Sequence, residues 1–294
     1  FKVNSKFTSQ KLVELAKMDG AIILSKDLKK ILYANVFLFP SVHLTTKETG
    51  TRHKAAERTA KHLDTITIAI SERKSKITIY SGESKYELGE SSEILRRAAE
   101  TLQVLEKQKE MLNQLMINLN ILELTNLVTT TDVCNVLQRL EMIRRISNII
   151  KRYLIELGNE GIIISMRLRE LLKNLKNDRL MILKDYFGAR HVKIDTLLKN
   201  INFGFLIEVD DILEILFKDF SEEHLCCKGI RLLNEARLDD KEIKLLTNKF
   251  QTLDEIFNAN KDVLVNLFKD EEIVFSLKKN LENLGEKILA RKNI

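Results

Sequence analysis

The sequence predicts an α/β domain followed by a long all-helical region, with the change near residue 90. Before that point, short β-branched runs alternate with turn residues and with two segments of helical spacing. From Ser91 onward, apolar residues recur three or four positions apart over some 150 residues. We therefore predict three parts, namely residues 1–90, 91–240 and 241–294.

The first part contains four runs with the composition of strands. The runs are DGAIILS (19–25), KKILYAN (29–35), TITIAIS (65–71) and KITIY (76–80), with turn-like residues at 26–28 and 72–75 between neighbours. The spacing of apolar residues at 9–17 and 53–62 predicts a helix in each of these two segments. The expected architecture is a mixed central sheet flanked by helices.

The helical part begins with a long helix that carries one apolar stripe. The stripe consists of Leu95, Ala98, Leu102, Leu105, Leu112, Met116 and Leu119. Thr130 or Thr131 can cap a second helix, which Gly158 is placed to end. Two further helical segments lie at 166–175 and 208–217, and residues 241–294 form a compact group of short helices.

Composition limits the class of protein. The chain has 44% hydrophobic and 31% charged residues and a formal charge of +6, which is typical of a globular protein and compatible with an anionic ligand. No apolar run approaches the roughly 18 to 20 residues of a spanning helix, and the first 15 residues lack a signal-peptide core. The three cysteines, Cys134, Cys226 and Cys227, imply no disulfide framework. We expect a cytoplasmic protein without a membrane partner.

The stretch ETGTRHKAAERTA, residues 48–60, has the composition of an anion site at a helix start. Backbone N–H groups at such a start, approached over Gly50 and flanked by cations, suit a phosphate. Arg52 offers a planar fork, Lys54 a point charge, and His53 a donor or a metal ligand. The alternative interpretation is a solvated basic turn.

A second candidate lies at MDGAIILS. Asp19 precedes Gly20 and Ala21 at the entrance to a predicted buried strand, where a ligand can approach the backbone closely. A carboxylate in that place can hold Mg²⁺ or Mn²⁺ and position a hydroxyl. The alternative interpretation is an ordinary Asp-Gly turn.

These segments together resemble a known family. AKMDGAIILS, KKILYAN, ETGTRHKAAERTAKH and TIAISERKSKITIY are similar to the diadenylate cyclase domain, whose signatures are Asp-Gly-Ala and an Arg-His-Arg triplet. The later LVTTTDVCNVLQRLEMIRRI, YLIELGNEG and KGIRLLNEAR resemble the helical middle of the bacterial DNA integrity scanning family. That family ends in a helix-hairpin-helix domain, and the resemblance covers essentially the whole chain.

The resemblance implies an enzyme that makes cyclic di-AMP from two ATP molecules and releases two pyrophosphates. Each 3′-hydroxyl attacks the α-phosphate of the opposite ATP, so two catalytic domains must face each other. The family forms a homo-octamer and uses Mg²⁺ or Mn²⁺, and both properties are expectations for this chain.

The resemblance also assigns nucleotide-site roles to the residues that match the family's motifs: Asp19, Gly20, Ala21, Leu38, Thr51, Arg52, His53, Lys54 and Ser71. Asp19 would bind the metal and act in catalysis with Arg52 and His53. Leu38 would line the adenine pocket, although core packing also explains it. Ser71 would contact the phosphates, although a strand-end hydrogen bond also explains it.

Three features depart from the family pattern. Lys54 replaces the second arginine of the triplet, which keeps the charge and loses bidentate geometry. The chain begins at Phe1, and we expect the N-terminal part of the catalytic domain to be missing from it. In the C-terminal domain, KDEE at 269–272 replaces the glycine turn that meets a DNA phosphate, so we expect weak or absent DNA binding.

Two other functions are alternatives to the cyclase. One is a DNA-branch-binding scanning or scaffold protein in which nucleotide binding is regulatory. The other is a catalytically silent nucleotide binder. His224, Cys226 and Cys227 are too few and too closely spaced to predict a metal site by themselves.

Overall fold

The computed structural model describes residues 1–71, 76–217, 225, 227–236 and 238–290. The chain divides into two compact units, Phe1–Ile94 and Leu95–Ile294. The first contains strands and helices and the second is helical, so the predicted fold class is confirmed. The further division near residue 240 stays a prediction. The predicted turn at 72–75 lies outside the described residues.

The described residues of the first unit form six strands and two helices before α3 begins. They are β1 (Lys2–Lys6), α1 (Ser9–Ala16), β2 (Ala21–Leu24), β3 (Lys30–Val36), α2 (Thr51–Leu63), β4 (Ile66–Ser71), β5 (Lys76–Ser81) and β6 (Ser84–Leu88). The four predicted strands correspond to β2, β3, β4 and β5, and the two predicted helices to α1 and α2. Strands β1 and β6 were not predicted as strands from the composition of the sequence.

The strands pair in two sheets of three, with orders β1-β3-β2 and β4-β5-β6. Every described pairing is antiparallel, which differs in detail from the single mixed sheet that we expected. Residues 37–50, which separate β3 from α2, form no strand that could extend the first sheet toward the second. The pairing therefore stays local to each set of sequence neighbours.

Helix α2 packs on one face of the second sheet. Its Ala56 and Ala60 form a small core with Ala69 of β4 and Tyr80 of β5. The Thr67 hydroxyl donates a 2.7 Å hydrogen bond to the Ala56 carbonyl and ties the helix to β4. Small alanine side chains allow this close approach of helix and sheet, which fixes the direction in which α2 begins.

The segment that leads into α2 is tied to the helix that follows it. Arg58 Nε donates to the Leu44 carbonyl at 2.9 Å, and Lys61 Nζ donates to the Thr45 carbonyl at 3.2 Å. The Thr46 hydroxyl donates to the Glu57 carboxylate. These side chains provide hydrogen-bond partners for groups of a segment that forms neither strand nor helix. They thereby position the start of α2.

The second unit contains twelve helices among its described residues, counting α3, which begins at the end of the first unit. They are α3 (Ser91–Leu124), α4 (Thr130–Leu157), α5 (Ile162–Leu171), α6 (Leu175–Phe187), α7 (His191–Asn200), α8 (Phe203–Ile207), α9 (Val209–Phe217), α10 (Ile230–Glu235), α11 (Asp240–Lys249), α12 (Leu253–Phe257), α13 (Lys261–Phe268) and α14 (Glu271–Ala290). Short 3₁₀ turns at Gly158–Gly161 and Gly188–Arg190 separate neighbouring helices.

The apolar stripe of α3 is narrower than the sequence predicted. Ala98, Leu105, Leu112 and Leu119 are buried, and each is seven residues from the next, as in a helix packed along a neighbour. Leu95 is exposed, so its place in the stripe was wrong. The stripe follows whichever side the neighbouring helices cover, and a run of leucines does not reveal that side.

The N-cap of α4 was also predicted one or two residues too late. Thr129 is the cap: its hydroxyl accepts from the Asp132 N–H at 3.3 Å, and its own N–H donates to the Asp132 carboxylate at 3.0 Å. This reciprocal pair is a capping box. Thr130 lies inside the helix and is buried. Gly158 ends α4 with φ +52° as predicted, although not in the left-handed helical region.

Helices α10 to α14 share a hydrophobic core. Leu246, Leu253, Ile256, Ala259 and Leu264 are buried there, and Phe250 is partly buried against them. The sequence analysis missed the contribution of α14, which adds Val274, Leu277, Leu281, Leu284 and Ile288 at helical spacing.

A buried polar cluster joins α3, α6 and α10. Arg231 Nη2 donates to Glu123 Oε2 at 2.7 Å, and the Tyr186 hydroxyl donates to Glu123 Oε1 at 2.7 Å. Asp185 accepts from the backbone N–H groups of Ile230 at 2.7 Å and Arg231 at 3.1 Å. Two carboxylates thus face one guanidinium within the cluster. Burial, reinforced by the charge of Glu123, raises the pKa of Asp185 to about 7.

This cluster predicts a pH dependence of stability. Folded Asp185 keeps its proton up to about pH 7, whereas an unfolded aspartate releases it near pH 4. The free energy of unfolding should therefore fall as the pH rises from about 4 to about 7, because the folded state binds the extra proton. Urea unfolding at pH 5.5 and pH 8 measures this difference.

In Asp185→Asn the decrease between these two pH values should be smaller than in the wild type. The exposed Asp210→Asn provides a matched control and should retain the wild-type decrease. An equal decrease in wild type and Asp185→Asn would contradict the assignment of the proton to Asp185.

Candidate functional site

The N-terminus of α2 has unsatisfied backbone donors. Gly50 is its N-cap with extended φ −83° and ψ 139°, and its first turn contains no acidic residue. Within the described part of the chain, no side chain makes a capping hydrogen bond to this end. The first helical hydrogen bond runs from Lys54 N–H to the Gly50 carbonyl at 2.9 Å. The N–H groups of the preceding residues can therefore bind an anion, which the helix dipole favours.

Four predicted cationic or polar residues lie at or beside this helix end. Arg52 is exposed, and its Nη1 donates to the Ile70 carbonyl at 3.4 Å. Ser71 follows directly as the last residue of β4, at the strand end that was predicted for it. His53 and Lys54 are half-buried in the first turn. The structure thus brings Arg52 next to the strand end that carries Ser71.

Asp19 lies in a bend just before β2 and is exposed. Strand β2 is half-buried, so the predicted buried strand was wrong. Gly20 has φ +94°, and a Cβ there would lie 3.0 Å from the backbone of Asn35 and Val36 in β3. Glycine is therefore required just before β2, where the chain passes close to the backbone at the end of β3, and this structural reason was not predicted from the sequence.

The described contacts attach the two predicted halves of the site to different sheets. Ala21 pairs with Val36 in the first sheet, whereas Arg52 contacts β4 in the second. Leu38 is half-buried in the segment between β3 and α2. Convergence of Asp19 and the start of α2 on one nucleotide stays a prediction.

Two surface clefts of the described chain lie elsewhere. One of about 480 Å³ is lined by residues near the β1–β3 end, including Phe7 and Leu28. The other, of about 400 Å³, is lined by residues of α13 and α14, including Lys261 and Phe275. Neither includes a residue of the predicted nucleotide site.

The sequence analysis missed a set of residues next to α2. The Glu48 carboxylate pairs with Lys85 Nζ of β6 at 2.6 Å, and that hydrogen bond holds the pKa of Glu48 below its ordinary value. Tyr80 lies opposite Lys85 in the β5–β6 register, and its ring meets the His53 ring edge to face with centroids 6.4 Å apart. The position of Glu48 two residues before Gly50 was the one signal that could have found this set.

The resemblance implies a divalent metal, which would need oxygen or nitrogen ligands from the protein. Among the described residues, no group of three or more His, Cys, Asp or Glu side chains is arranged to hold a metal. Mg²⁺ commonly binds through one or two carboxylates together with substrate phosphates and water. The exposed carboxylate of Asp19 is compatible with that mode. His224 and Cys226 lie outside the described residues, and Cys227 is buried.

The C-terminal hairpin has a different chemistry from the start of α2. Lys269 ends α13 in the left-handed region with φ +56°. Asp270 Oδ1 accepts from the backbone N–H groups of Glu272 at 2.9 Å and Ile273 at 3.4 Å. The carboxylate of Asp270 thus takes the place that a phosphate would need at α14, and Glu271 and Glu272 add negative charge.

Among the described residues, no helix is both long enough and apolar enough to cross a bilayer.

Comparison with known proteins identifies both units. A family model described as DisA bacterial checkpoint controller nucleotide-binding matches residues 1–85. A second, the DisA bacterial checkpoint controller linker region, matches residues 88–225. The fold and these matches therefore define the class of protein, which is an α/β nucleotide-binding domain joined to a helical linker.

Similar curated proteins extend the match beyond these regions. The DNA integrity scanning protein DisA of Clostridioides difficile is 42% identical over 268 residues, covering 88% of this chain and 75% of the relative. That of Acetivibrio thermocellus is 44% identical over 268 residues, covering 88% and 74%. That of Clostridium beijerinckii is 38% identical over 301 residues, covering 100% and 85%. The chain belongs to the DNA integrity scanning protein DisA family.

The cap at α14 generates a stability prediction. Asp270→Ala removes both capping hydrogen bonds and should lower the free energy of unfolding by about 1 kcal/mol. Glu271→Ala is the matched control, because it removes an adjacent acid that accepts neither of these two hydrogen bonds, and it should cost less. Urea unfolding followed by circular dichroism compares the two variants. Equal losses would show that Asp270 does not act as the cap.

Proposed function

We propose that the chain is a diadenylate cyclase, which condenses two ATP molecules into cyclic di-AMP and releases two pyrophosphates. Membership of the family supports a nucleotide-binding cyclase. The observation that carries the proposal for this chain is the start of α2, which has no acidic residue in its first turn and no side-chain cap from any residue that the structure describes. Such a helix end, flanked by Arg52 and Lys54, is suited to a triphosphate.

The residues at α2 would bind and orient the phosphates. Backbone N–H groups near Thr51 would donate to phosphate oxygens, while Arg52 and Lys54 offset their charge. His53 would donate from its imidazole, and Ser71 from its hydroxyl at the end of β4. Leu38 would pack against the adenine. In-line phosphoryl transfer depends mainly on positioning the reactants and stabilising charge. These contacts would supply both for the phosphates.

Asp19 would act at the attacking group. Its carboxylate would hold Mg²⁺ or Mn²⁺ and help to position the 3′-hydroxyl, while the Gly20–Ala21 backbone contacts the nucleotide. When bound, the metal would offset negative charge on the phosphates. The 3′-hydroxyl of one ATP would lose its proton to water, its oxygen would form a bond to the α-phosphorus of the other ATP, and the bond from that phosphorus to pyrophosphate would break.

A closed ring needs this step twice, on two ATP molecules that face each other. We therefore propose that two copies of the catalytic unit assemble across a subunit interface within a homo-oligomer, an octamer as the family resemblance implies. Cytoplasmic location and independence from membranes stay predictions. DNA binding is proposed to be weak, since the N–H groups at the start of α14 are already bound by Asp270.

Asp19→Asn tests the assigned catalytic role. The full chain is incubated with ATP and Mn²⁺, and cyclic di-AMP is measured by chromatography. Loss of the carboxylate should lower the rate at least about 100-fold, because metal binding and hydroxyl positioning both depend on its charge. Asp64→Asn, at an exposed left-handed position that asparagine tolerates, is the matched control and should retain activity. Unchanged turnover in Asp19→Asn would reject the role.

Lys54→Arg tests whether this position contacts phosphate. A guanidinium restores the bidentate geometry that the family's triplet has, so the KM for ATP should fall a few-fold with little change in kcat. Lys26→Arg, at an exposed position after β2 and outside the predicted site, provides the control. A KM that is unaltered by Lys54→Arg would place Lys54 outside the phosphate site.

A further inference from the structure

The start of α2 lacks the side-chain cap that orders many helix ends. Its N-cap is Gly50, and no side chain of the described residues makes a capping hydrogen bond there. A helix start without such a cap unwinds readily, because its first N–H groups have no partners within the helix. Contacts from elsewhere must therefore hold the chain that leads into α2.

Residues further along α2 supply the first of these contacts. Arg58 Nε donates to the Leu44 carbonyl at 2.9 Å, and Lys61 Nζ donates to the Thr45 carbonyl at 3.2 Å. Two successive carbonyls before the helix thus meet two side chains from that same helix. The chain before Gly50 is thereby held alongside α2.

Thr46 makes the third contact, and its hydroxyl acts in two directions. It donates to the Glu57 carboxylate of α2, and it accepts from the Glu48 backbone N–H at 3.1 Å. One hydroxyl therefore connects a point two residues before the N-cap with a point in the second turn of α2. A hydroxyl that donates to a carboxylate forms a charge-assisted hydrogen bond, which is stronger than one between neutral groups.

Glu57 is itself held in place. Its carboxylate pairs with Lys61 Nζ at 3.0 Å, and the two side chains are only 13% and 12% exposed. Ion pairs on an open surface contribute little, whereas a largely buried carboxylate is costly to leave without partners. Thr46 and Lys61 supply those partners. Glu57 is therefore a fixed acceptor for the hydroxyl of Thr46.

We propose that Thr46 and Glu57 are positioning residues, which order the start of α2 in place of an N-cap. The inference rests on the proposed function, in which the N–H groups at this start bind phosphates. A capping side chain would order the same helix end, but it would occupy an N–H group that a phosphate needs. The hydrogen bond from Thr46 to Glu57 occupies none of these groups. ATP therefore meets donors whose position is already set, which lowers the ordering cost of binding.

The experiment compares Thr46→Val with the wild type in the full chain. Valine removes the hydroxyl and keeps the branched shape. Binding is measured by calorimetry with α,β-methylene-ATP and Mn²⁺, because this analogue cannot release pyrophosphate, and turnover is measured with ATP. Thr46→Val should raise the Kd of the analogue and the KM for ATP about tenfold, because the ordering cost returns. Its kcat should change by less than about twofold, since the bound state is the same.

Two further variants should match the wild type in both Kd and KM. Thr46→Ser keeps the hydroxyl that donates to Glu57. Thr45→Val is the matched control, because the neighbouring Thr45 is exposed and only its carbonyl takes part in these contacts. A lower kcat at an unaltered KM in Thr46→Val would contradict the proposal, because positioning for binding acts on KM.

Amide hydrogen exchange tests the ordering of α2 without any turnover. Deuterium uptake by residues 51–60 is followed by mass spectrometry in the absence of nucleotide. Thr46→Val should increase this uptake, while uptake by β3 stays at the wild-type level. Unchanged uptake at residues 51–60 would overturn the proposal, and so would an equal increase in β3, which indicates a general loss of structure.

The outcomes separate this inference from the proposed function. If the wild type binds the analogue but makes no cyclic di-AMP, the cyclase proposal fails, and the Kd of Thr46→Val still decides the inference. If the wild type is active and Thr46→Val matches Thr45→Val, the inference fails alone. A wild type that does not bind the analogue would reject both.

Discussion

The unsatisfied N–H donors of a helix start are the physical constraint on which the candidate site depends. Every helix has such donors, and each must be met by a side chain, water or a ligand. At α14 the protein supplies its own carboxylate, Asp270, to the N–H groups of the first turn. At α2 it supplies glycine and cations and no side-chain cap. The start of α2 is therefore suited to binding an anion. The start of α14 is not, because its N–H groups already bind Asp270.

The surroundings of α2 hold that helix start in place. Alanines of α2 pack closely on β4 and β5, and Arg58, Glu57 and Lys61 tie down the segment before Gly50. The result is a rigid support beneath an exposed Arg52. The proposed nucleotide site would benefit from this support, because positioning accounts for much of phosphoryl-transfer catalysis.

The helical unit uses buried charge for a different purpose. Glu141 of α4 is fully buried and accepts from Arg144, Arg145 and Arg179 at 2.6 to 2.8 Å. Glu123 is similarly held by Arg231. Such groups add little net stability, but leaving one partner unpaired is costly. They therefore favour one alignment of α3, α4, α6 and α10 over shifted alternatives, and they belong to packing rather than to the chemistry of the nucleotide site.

The sequence by itself determined the local features of this protein. The strands β2 to β5, the start of α2, the apolar stripes of the helices and the charge of the hairpin follow from residue types a few positions apart, because periodicity and capping are local properties. The family motifs placed Asp19, Arg52, His53 and Ser71 as candidates on the same grounds.

Only the tertiary structure decided that β1 pairs with β3, that Leu95 is exposed, and that a glycine at position 20 allows the close approach of β3. It alone brought Glu48 to Lys85, and Glu123 to Arg231 across 108 residues of sequence. Such pairs depend on which helices and strands pack against each other. The spacing of residues along the sequence shows no periodic pattern from which that packing could be predicted.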